Sequence, residues 1–280
     1  MSGEKAALGV GLIGCGAIGT VLARAMDEGK AGKTCLVVVY DLNRRKSREL
    51  VDKLSKKPKI SKSFAEFLNY KDTNLVVEAA CQDAVRQYAL KVLRAGKNLM
   101  IMSVGVLVDS KLRNEIETLA DSAGRKVYIP SGAIAGLDGL KSAAVGRVDK
   151  VTLTTRKPPE GLKGAPYLKR KGIKIDGLSK PKMVYKGSAV ETCKLFPANV
   201  NVAAALSLAG IGPENTEVRI VADPTIKRNI HEIHVKGEFG EFRVKTENVP
   251  SPTNPHTSYL AALSAVVTLR KITKNMIIGT

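Results

Sequence analysis

The first residues able to do chemistry are Gly14-Cys15-Gly16-Ala17-Ile18-Gly19, a GxGxxG that follows the apolar run Leu8 to Ile13. A loop of this kind can cradle a pyrophosphate. Gly14 permits the tight strand-to-helix turn, Gly16 lets the backbone approach the phosphates at a helix N-terminus, and Gly19 lets helix and strand pack closely. Asp41 closes a second apolar run, Cys35 to Tyr40. A carboxylate there accepts hydrogen bonds from an adenosine ribose. A lone GxGxxG is weak evidence, but strand, glycines, helix, second strand and terminal acid in that order form a strong signal for a bound dinucleotide. Asp41 argues for NAD, because a carboxylate repels a 2′-phosphate. Arg44 and Arg45, just past Asn43, could clamp that phosphate if Asp41 turned away. NAD, NADP or both are therefore expected, and a solvated surface turn explains the arginines equally well.

Three histidines are available for proton transfer. In Ile230-His231-Glu232-Ile233-His234-Val235-Lys236, a period of two sets His231 on one face with Ile233 and Val235. His234 shares the other, solvated face with Glu232 and Lys236. A histidine on the covered face of a strand suits acid/base work near neutral pH, although a hydrogen-bonded core histidine is the commoner case. His256, between Pro255 and Thr257, is expected to cap or precede the last helix. The His231–His234 spacing is HxxH rather than HExxH, and no His/Cys cluster has metal-ligand spacing, so no metal is expected. Cys15, Cys35, Cys81 and Cys193 are scattered, which predicts reduced thiols in a cytoplasmic setting.

The elements that must carry these groups are legible in outline. Ile18, Val21, Leu22, Ala25 and Met26 mark one face of a helix that ends near Gly29. Leu75 to Ala80 reads as a buried strand, followed by a helix with Val85, Tyr88, Ala89, Val92 and Leu93 inward. Asn98 to Val104 reads as the next strand, 111–123 as a helix, and Val127 to Ile129 as a further strand. Strands alternating with helices mean a parallel α/β sheet, in which ligands sit at the carboxyl ends of the strands. The segments there are Gly14–Gly19, Asp41, Ala80–Gln82, Ser103–Val106 and Ser131–Ala135.

After Leu140 the pattern changes to strands at 151–154, 217–222, 229–236 and 239–244, read as an antiparallel substrate-binding sheet. Lys163 to Lys186, rich in Lys, Gly and Pro, reads as an exposed excursion. Phe196 to Asn201 opens a helix that stops at Gly210. The last helix, Ser258 to Lys271, carries Leu260, Leu263 and Val267, and its apolar character predicts burial against the nucleotide half.

The 280 residues carry a net charge of +19 and are 44% hydrophobic, a balance that excludes a disordered chain. No stretch approaches the roughly 20 apolar residues of a membrane span, so no membrane partner is expected. The charge raises the question of nucleic acid. The densest basic segment offers only Tyr167 and Tyr185 as stacking platforms and has no recognition motif, so no nucleic-acid partner is expected.

GVGLIGCGAIG (9–19), VVEAACQDAV (76–85), PSGAIAGLDGL (130–140), FPANVNVAAALSLAG (196–210), RNIHEI (228–233) and NVPSPTNPHTSYLAALSAV (248–266) together resemble the L-aspartate dehydrogenase family. The likeness runs in order along essentially the whole chain. It implies NAD(P)-dependent oxidation of L-aspartate to iminoaspartate, then oxaloacetate and ammonia, with the imine able to feed pyridine nucleotide synthesis. It also implies a cytoplasmic homodimer of α/β class: a Rossmann-type doubly wound parallel sheet with a second α+β catalytic domain. The expected boundaries are 1–131 for dinucleotide binding, 132–253 for catalysis and dimerisation, and 254–280 for a helix returning to the first domain. By the resemblance His231 is catalytic, Ala135 and Asn201 contact the nicotinamide side, and Gly14, Gly16, Ala17, Ile18, Gly19, Asp41, Ala80 and Cys81 hold the rest of the cofactor. Cys81 stands where Ser is more usual and Asp83 where Glu is common. The alternative is a related oxidoreductase of the homoserine dehydrogenase or dihydrodipicolinate reductase type, which would rely on lysine-centred catalysis.

Overall fold

The computed structural model describes residues 7–196, 200–251 and 254–279, the side chains of 254–257 excepted. The chain divides into two compact units. Residues up to Val106, Ser110–Pro130 and Ala262–Ile278 form one; Leu107–Asp109 and Ser131–Ala261 belong to the other.

The first unit alternates β1 (Leu8–Ile13), α1 (Ala17–Asp27), β2 (Thr34–Tyr40), α2 (Arg44–Asp52), β3 (Lys59–Ile60), α3 (Phe64–Leu68), β4 (Leu75–Glu78), α4 (Gln82–Arg94), β5 (Asn98–Ile101), α5 (Ser110–Ser122) and β6 (Val127–Tyr128). The strand order is β3-β2-β1-β4-β5-β6, every described pairing being parallel. β1 is the switch point: it pairs with both β2 and β4, and the glycine loop leaves its carboxyl end, where sheets of this kind bind their ligands. Strands buried on both faces read as continuous apolar runs, as Leu75-Val76-Val77 does. Val10, Leu12, Val39, Val77 and Met100 build the core, each fully buried side chain contributing about 1.5–3 kcal/mol.

The second unit contains α6 (Leu137–Ala143), β7 (Val148–Lys157), α7 (Pro166–Lys171), β8 (Lys182–Ser188), α8 (Ala189–Leu195), α9 (Val200–Ala209), β9 (Thr216–Ala222), β10 (Asn229–Gly237) and β11 (Gly240–Asn248). Its sheet runs β11-β10-β7-β9-β8. Val151, Leu153, Val218, Ile220, Ile233 and Val235 point to one face, against Phe196, Leu206, Leu162 and Leu168. The short ribbon β12 (Pro250–Ser251) and β13 (Asn254–Ser258) leads into α10 (Tyr259–Thr273). Ala265, Val266 and Leu269 of α10 join the core of the first unit. Among the described residues no helix is long and apolar enough to cross a membrane.

Several expectations change. The strand expected over 98–104 ends at Ile101, because the Ser103 amide and hydroxyl are both drawn to the Glu78 carboxylate and the chain leaves the sheet for a 3-10 turn, Val104–Val108. The second sheet is mixed rather than antiparallel: β7 and β9 run parallel, since the chain between them crosses over through α7, β8, α8 and α9. The 163–186 segment is not an exposed excursion. It contains α7 and most of β8, an edge strand of the sheet, and buries Leu168, Ile175, Val184 and Tyr185. Tyr167 and Tyr185 are no stacking platforms, because they pack against each other and against Phe196 (5.2–5.4 Å). On α10 the inward residues are Ala262, Ala265, Val266 and Leu269, whereas Leu260, Leu263 and Val267 face out.

Candidate active site

The glycine loop is built as its sequence requires. Gly14 adopts φ +95°, and a Cβ there would lie 2.6 Å from the Ala79 carbonyl oxygen. Thus Gly14 lets the loop pass close to the turn after β4, and Gly19, where a Cβ would run into the Gly14 carbonyl oxygen, lets α1 pack close to the loop. Gly16 differs: a Cβ there would meet nothing within 4 Å, so its backbone borders open space. Gly16 also N-caps α1, with no side chain capping the helix and no acid in its first turn. The uncapped amides at Ala17 and Ile18, with the positive end of the helix dipole, suit a diphosphate.

Asp41 is tied to this loop. Its Oδ2 accepts the Cys15 amide (2.8 Å) and its Oδ1 the Asn43 amide (2.8 Å). The carboxylate therefore does not turn away from the loop, and its remaining lone pairs are available to a ribose. Arg44 and Arg45 form the first turn of α2, capped by the Asn43 side chain, and Arg45 is engaged with Glu49 (2.7 Å).

Glu78 organises the neighbouring strand ends. Its carboxylate is buried and accepts from the Ala80 amide (2.8 Å), the Ser103 hydroxyl (2.9 Å) and the Ser103 amide (3.0 Å). Burial pushes its pKa up, while those donors oppose the rise. The turn holding Ala80 and Cys81 is thus fixed to the turn after β5. Cys81 is the exposed N-cap of α4. Glu78 was not among the expected site residues, although an acid closing an apolar strand before two alanines is a readable signal.

In the second unit His231 lies on the covered face of β10 with Ile233 and Val235, as alternation requires, and is 5% exposed. Its Nδ1 shares a hydrogen bond with Thr155 Oγ1 of β7 (3.0 Å), directly across the sheet. When Nε2 is the base, Nδ1–H donates to Thr155. Burial first, and the Lys157 ammonium second, lower the imidazole pKa to about 3, so the ring is neutral. His234 sits on the opposite face, half-buried rather than exposed, and bonds Glu241 (3.0 Å). That face carries a depression of about 480 Å³ lined by Thr152, Arg219, Glu232, His234 and Arg243, and it does not include His231.

The segment bearing Ala135 is held in the same unit. Thr246 Oγ1 (3.1 Å) and Asn248 Nδ2 (3.0 Å) both donate to the Ala133 carbonyl, and Thr246 is the β11 residue paired with His231. Ala135 follows, exposed, just before the left-handed Gly136 that starts α6. Asn201 stands exposed in the first turn of α9. His256 falls in β13, before α10 as expected, and its side chain lies outside the described residues.

A six-stranded parallel sheet with a glycine loop at its switch point, joined to an α+β unit carrying a buried neutral histidine, defines a Rossmann-type dinucleotide-binding protein with the parts of an oxidoreductase. Residues 14–130 match the family described as "Homoserine dehydrogenase, NAD binding domain" and residues 138–272 the one described as "Aspartate dehydrogenase, C-terminal". The L-aspartate dehydrogenase of Methanocella arvoryzae is 48% identical over 97% of this chain and 99% of its own. The crystal structure of aspartate dehydrogenase from Thermotoga maritima covers 97% of this chain and 99% of its own, with a TM-score of 0.75 and 30% identity. The WlbA dehydrogenase of Bordetella pertussis, solved with NADH and UDP-GlcNAcA, shares the fold at 16% identity and a TM-score of 0.53, covering 86% of this chain and 75% of its own. The chain belongs to the L-aspartate dehydrogenase family.

Proposed function

We propose that the chain oxidises L-aspartate with NAD, releasing iminoaspartate that hydrolyses to oxaloacetate and ammonia. The observation that carries this reading is the buried, neutral His231, bonded through Nδ1 to Thr155, in a chain that matches an L-aspartate dehydrogenase over 97% of its length. Gly14, Gly16, Ala17, Ile18 and Gly19 would hold the diphosphate, Asp41 the adenosine ribose, Ala80 and Cys81 the edge of the cofactor, and Ala135 and Asn201 its nicotinamide side. When bound, the nicotinamide supplies the acceptor for the Cα hydride. His231 takes a proton from the substrate amine, directly or through one water, so that the C=N bond can form. Its low pKa keeps it unprotonated before substrate arrives, and a dianionic substrate beside it raises its basicity as the reaction needs.

Asp41, fixed by two backbone amides, supports NAD over NADP. We read residues 1–131 as the cofactor domain, 132–253 as the catalytic and dimerisation domain, and 254–280 as a return to the first. A homodimer is supported by the outward stripe of Leu260, Leu263 and Val267 on α10. A cytoplasmic enzyme supplying iminoaspartate to pyridine nucleotide synthesis fits this reading. The test is a spectrophotometric screen of L-aspartate, L-homoserine and other amino acids with NAD⁺ and with NADP⁺. The expected result is reduction with L-aspartate, faster with NAD⁺. Turnover with L-homoserine alone overturns the assignment.

A further inference from the structure

The second unit buries a cation for which its described residues provide no partner. Lys157 ends β7 and is 7% exposed. It lies two residues from Thr155, on the same face of the strand, and Thr155 pairs directly with His231. The stem of Lys157 packs under Gly161 in the 3-10 turn Pro159–Leu162, with its Cδ and Cβ 3.5 and 3.6 Å from where a Cβ on Gly161 would stand. The Asn229 amide oxygen flanks the same spot at 4.0 Å. Among the described residues no hydrogen bond or ion pair reaches the Lys157 ammonium.

Lys97 is the control within the same chain. Its solvent exposure is nearly as low, at 9%, though its surroundings are less densely packed, and its Nζ donates to the Tyr70 (3.1 Å) and Thr73 (2.8 Å) carbonyls. A buried ammonium costs several kcal/mol unless it is paired, so a chain normally provides partners, as it does for Lys97. Lys157 has three donors and none of these partners. It stands at the end of the sheet that carries His231, close enough for its charge to depress the imidazole.

We infer that Lys157 is the cation that binds a carboxylate of the dicarboxylate substrate, presenting the rest of the molecule to His231. This inference rests on the aspartate dehydrogenase reading of the same site. A carboxylate replaces the water that burial has stripped from most of the side chain, and a charge-assisted hydrogen bond is about twice as strong as a neutral one. The ionisable groups on the flanking elements are otherwise committed or turned away. Asp223, after β9, accepts from Thr225 and lies 3.8 Å from Arg156, and Arg156 also reaches Glu232 (3.6 Å) on the outer face. Glu160 in the 3-10 turn and Arg228 before β10 are exposed. Burial alone lowers the Lys157 pKa, to about 8, so the charge is present at neutral pH and is lost above it.

The test uses the full chain and two readouts: steady-state kinetics with L-aspartate, and calorimetric binding of succinate, a dicarboxylate without an amine, to the NADH-loaded enzyme. Lys157→Met should raise KM for L-aspartate and Kd for succinate by about 10- to 100-fold, with the affinity for NADH unchanged, while Lys157→Arg recovers part of the loss. In the parent enzyme succinate binding should weaken above pH about 8, and Lys157→Met should lack that limb. KM and Kd within twofold of the parent, with the pH limb intact, overturn the inference. A parent enzyme that oxidises no L-aspartate overturns the functional reading instead, and the succinate measurements still decide whether Lys157 holds a carboxylate.

Discussion

The two units treat buried charge in opposite ways. Around β4 and β5 it is fully partnered: Glu78 accepts three hydrogen bonds and Lys97 donates to two carbonyls. At the end of β7 and the start of β10 it is left open among the described residues, with no partner for the Lys157 ammonium and His231 bonded through one nitrogen. Desolvation shifts the pKa of all four groups, so a shifted pKa by itself does not separate scaffold from site. The partner count does. Where the chain satisfies a buried charge the group holds turns in place, and where the described residues do not, we assign the missing partner to the substrate.

The sharpest way to break this contrast is His231→Ala. If the open end is the site, kcat falls by about 10²–10⁴ with NADH affinity retained, read from the NADH absorbance band and a fluorescence titration. Next is Glu78→Ala, which strands the Ala80 and Ser103 donors and should cost about 3 kcal/mol in urea unfolding, whereas Glu78→Gln recovers part of it.

The two lysines should then respond with opposite sign. Lys97→Met leaves two carbonyls unpaired and lowers stability by about 1–2 kcal/mol. Lys157→Met removes an unpaired buried charge and raises stability by a similar amount, seen as a higher Tm. At pH 7 both the folded and unfolded chains carry the Lys157 proton, so the burial cost is felt in full. Between pH about 8 and the ordinary lysine value the unfolded chain binds more protons than the folded one, and parent stability gains on the variant. The Tm gap should therefore narrow over that window. The smallest expected effect is at Asp41: Asp41→Ser removes the carboxylate that repels a 2′-phosphate and should shift kcat/KM towards NADP⁺ by about tenfold.

The parts of the candidate site whose placement depends on local pattern were legible in the sequence. The glycine loop, Asp41 and the inward face of His231 follow from the chemistry of a turn and a period of two, and the structure has each where that pattern puts it. The family resemblance, carried by the later motifs, added the activity. What the sequence hid is tertiary. α2 and α3 were not anticipated because α2 is two-thirds charged, with only Ser47, Leu50 and Val51 buried, and α3 is five residues long. β8 was concealed by lysines that face water on an edge strand, and the helix after it was missed as well, although Ser188 and Glu191 stand at capping-box spacing. Lys157 could be placed on the covered face by extending the alternation of β7 three residues, but its lack of a partner depends on the turn folded over it.

The central claim is that this chain removes the Cα hydrogen of L-aspartate as hydride. The measurement is the rate of NADH formation from L-aspartate and from L-aspartate deuterated at Cα, at saturating NAD⁺. The account predicts NADH in step with ammonia, formed more slowly from the deuterated substrate, with deuterium recovered in the reduced cofactor. Ammonia release without NADH, or NADH free of deuterium, would contradict it.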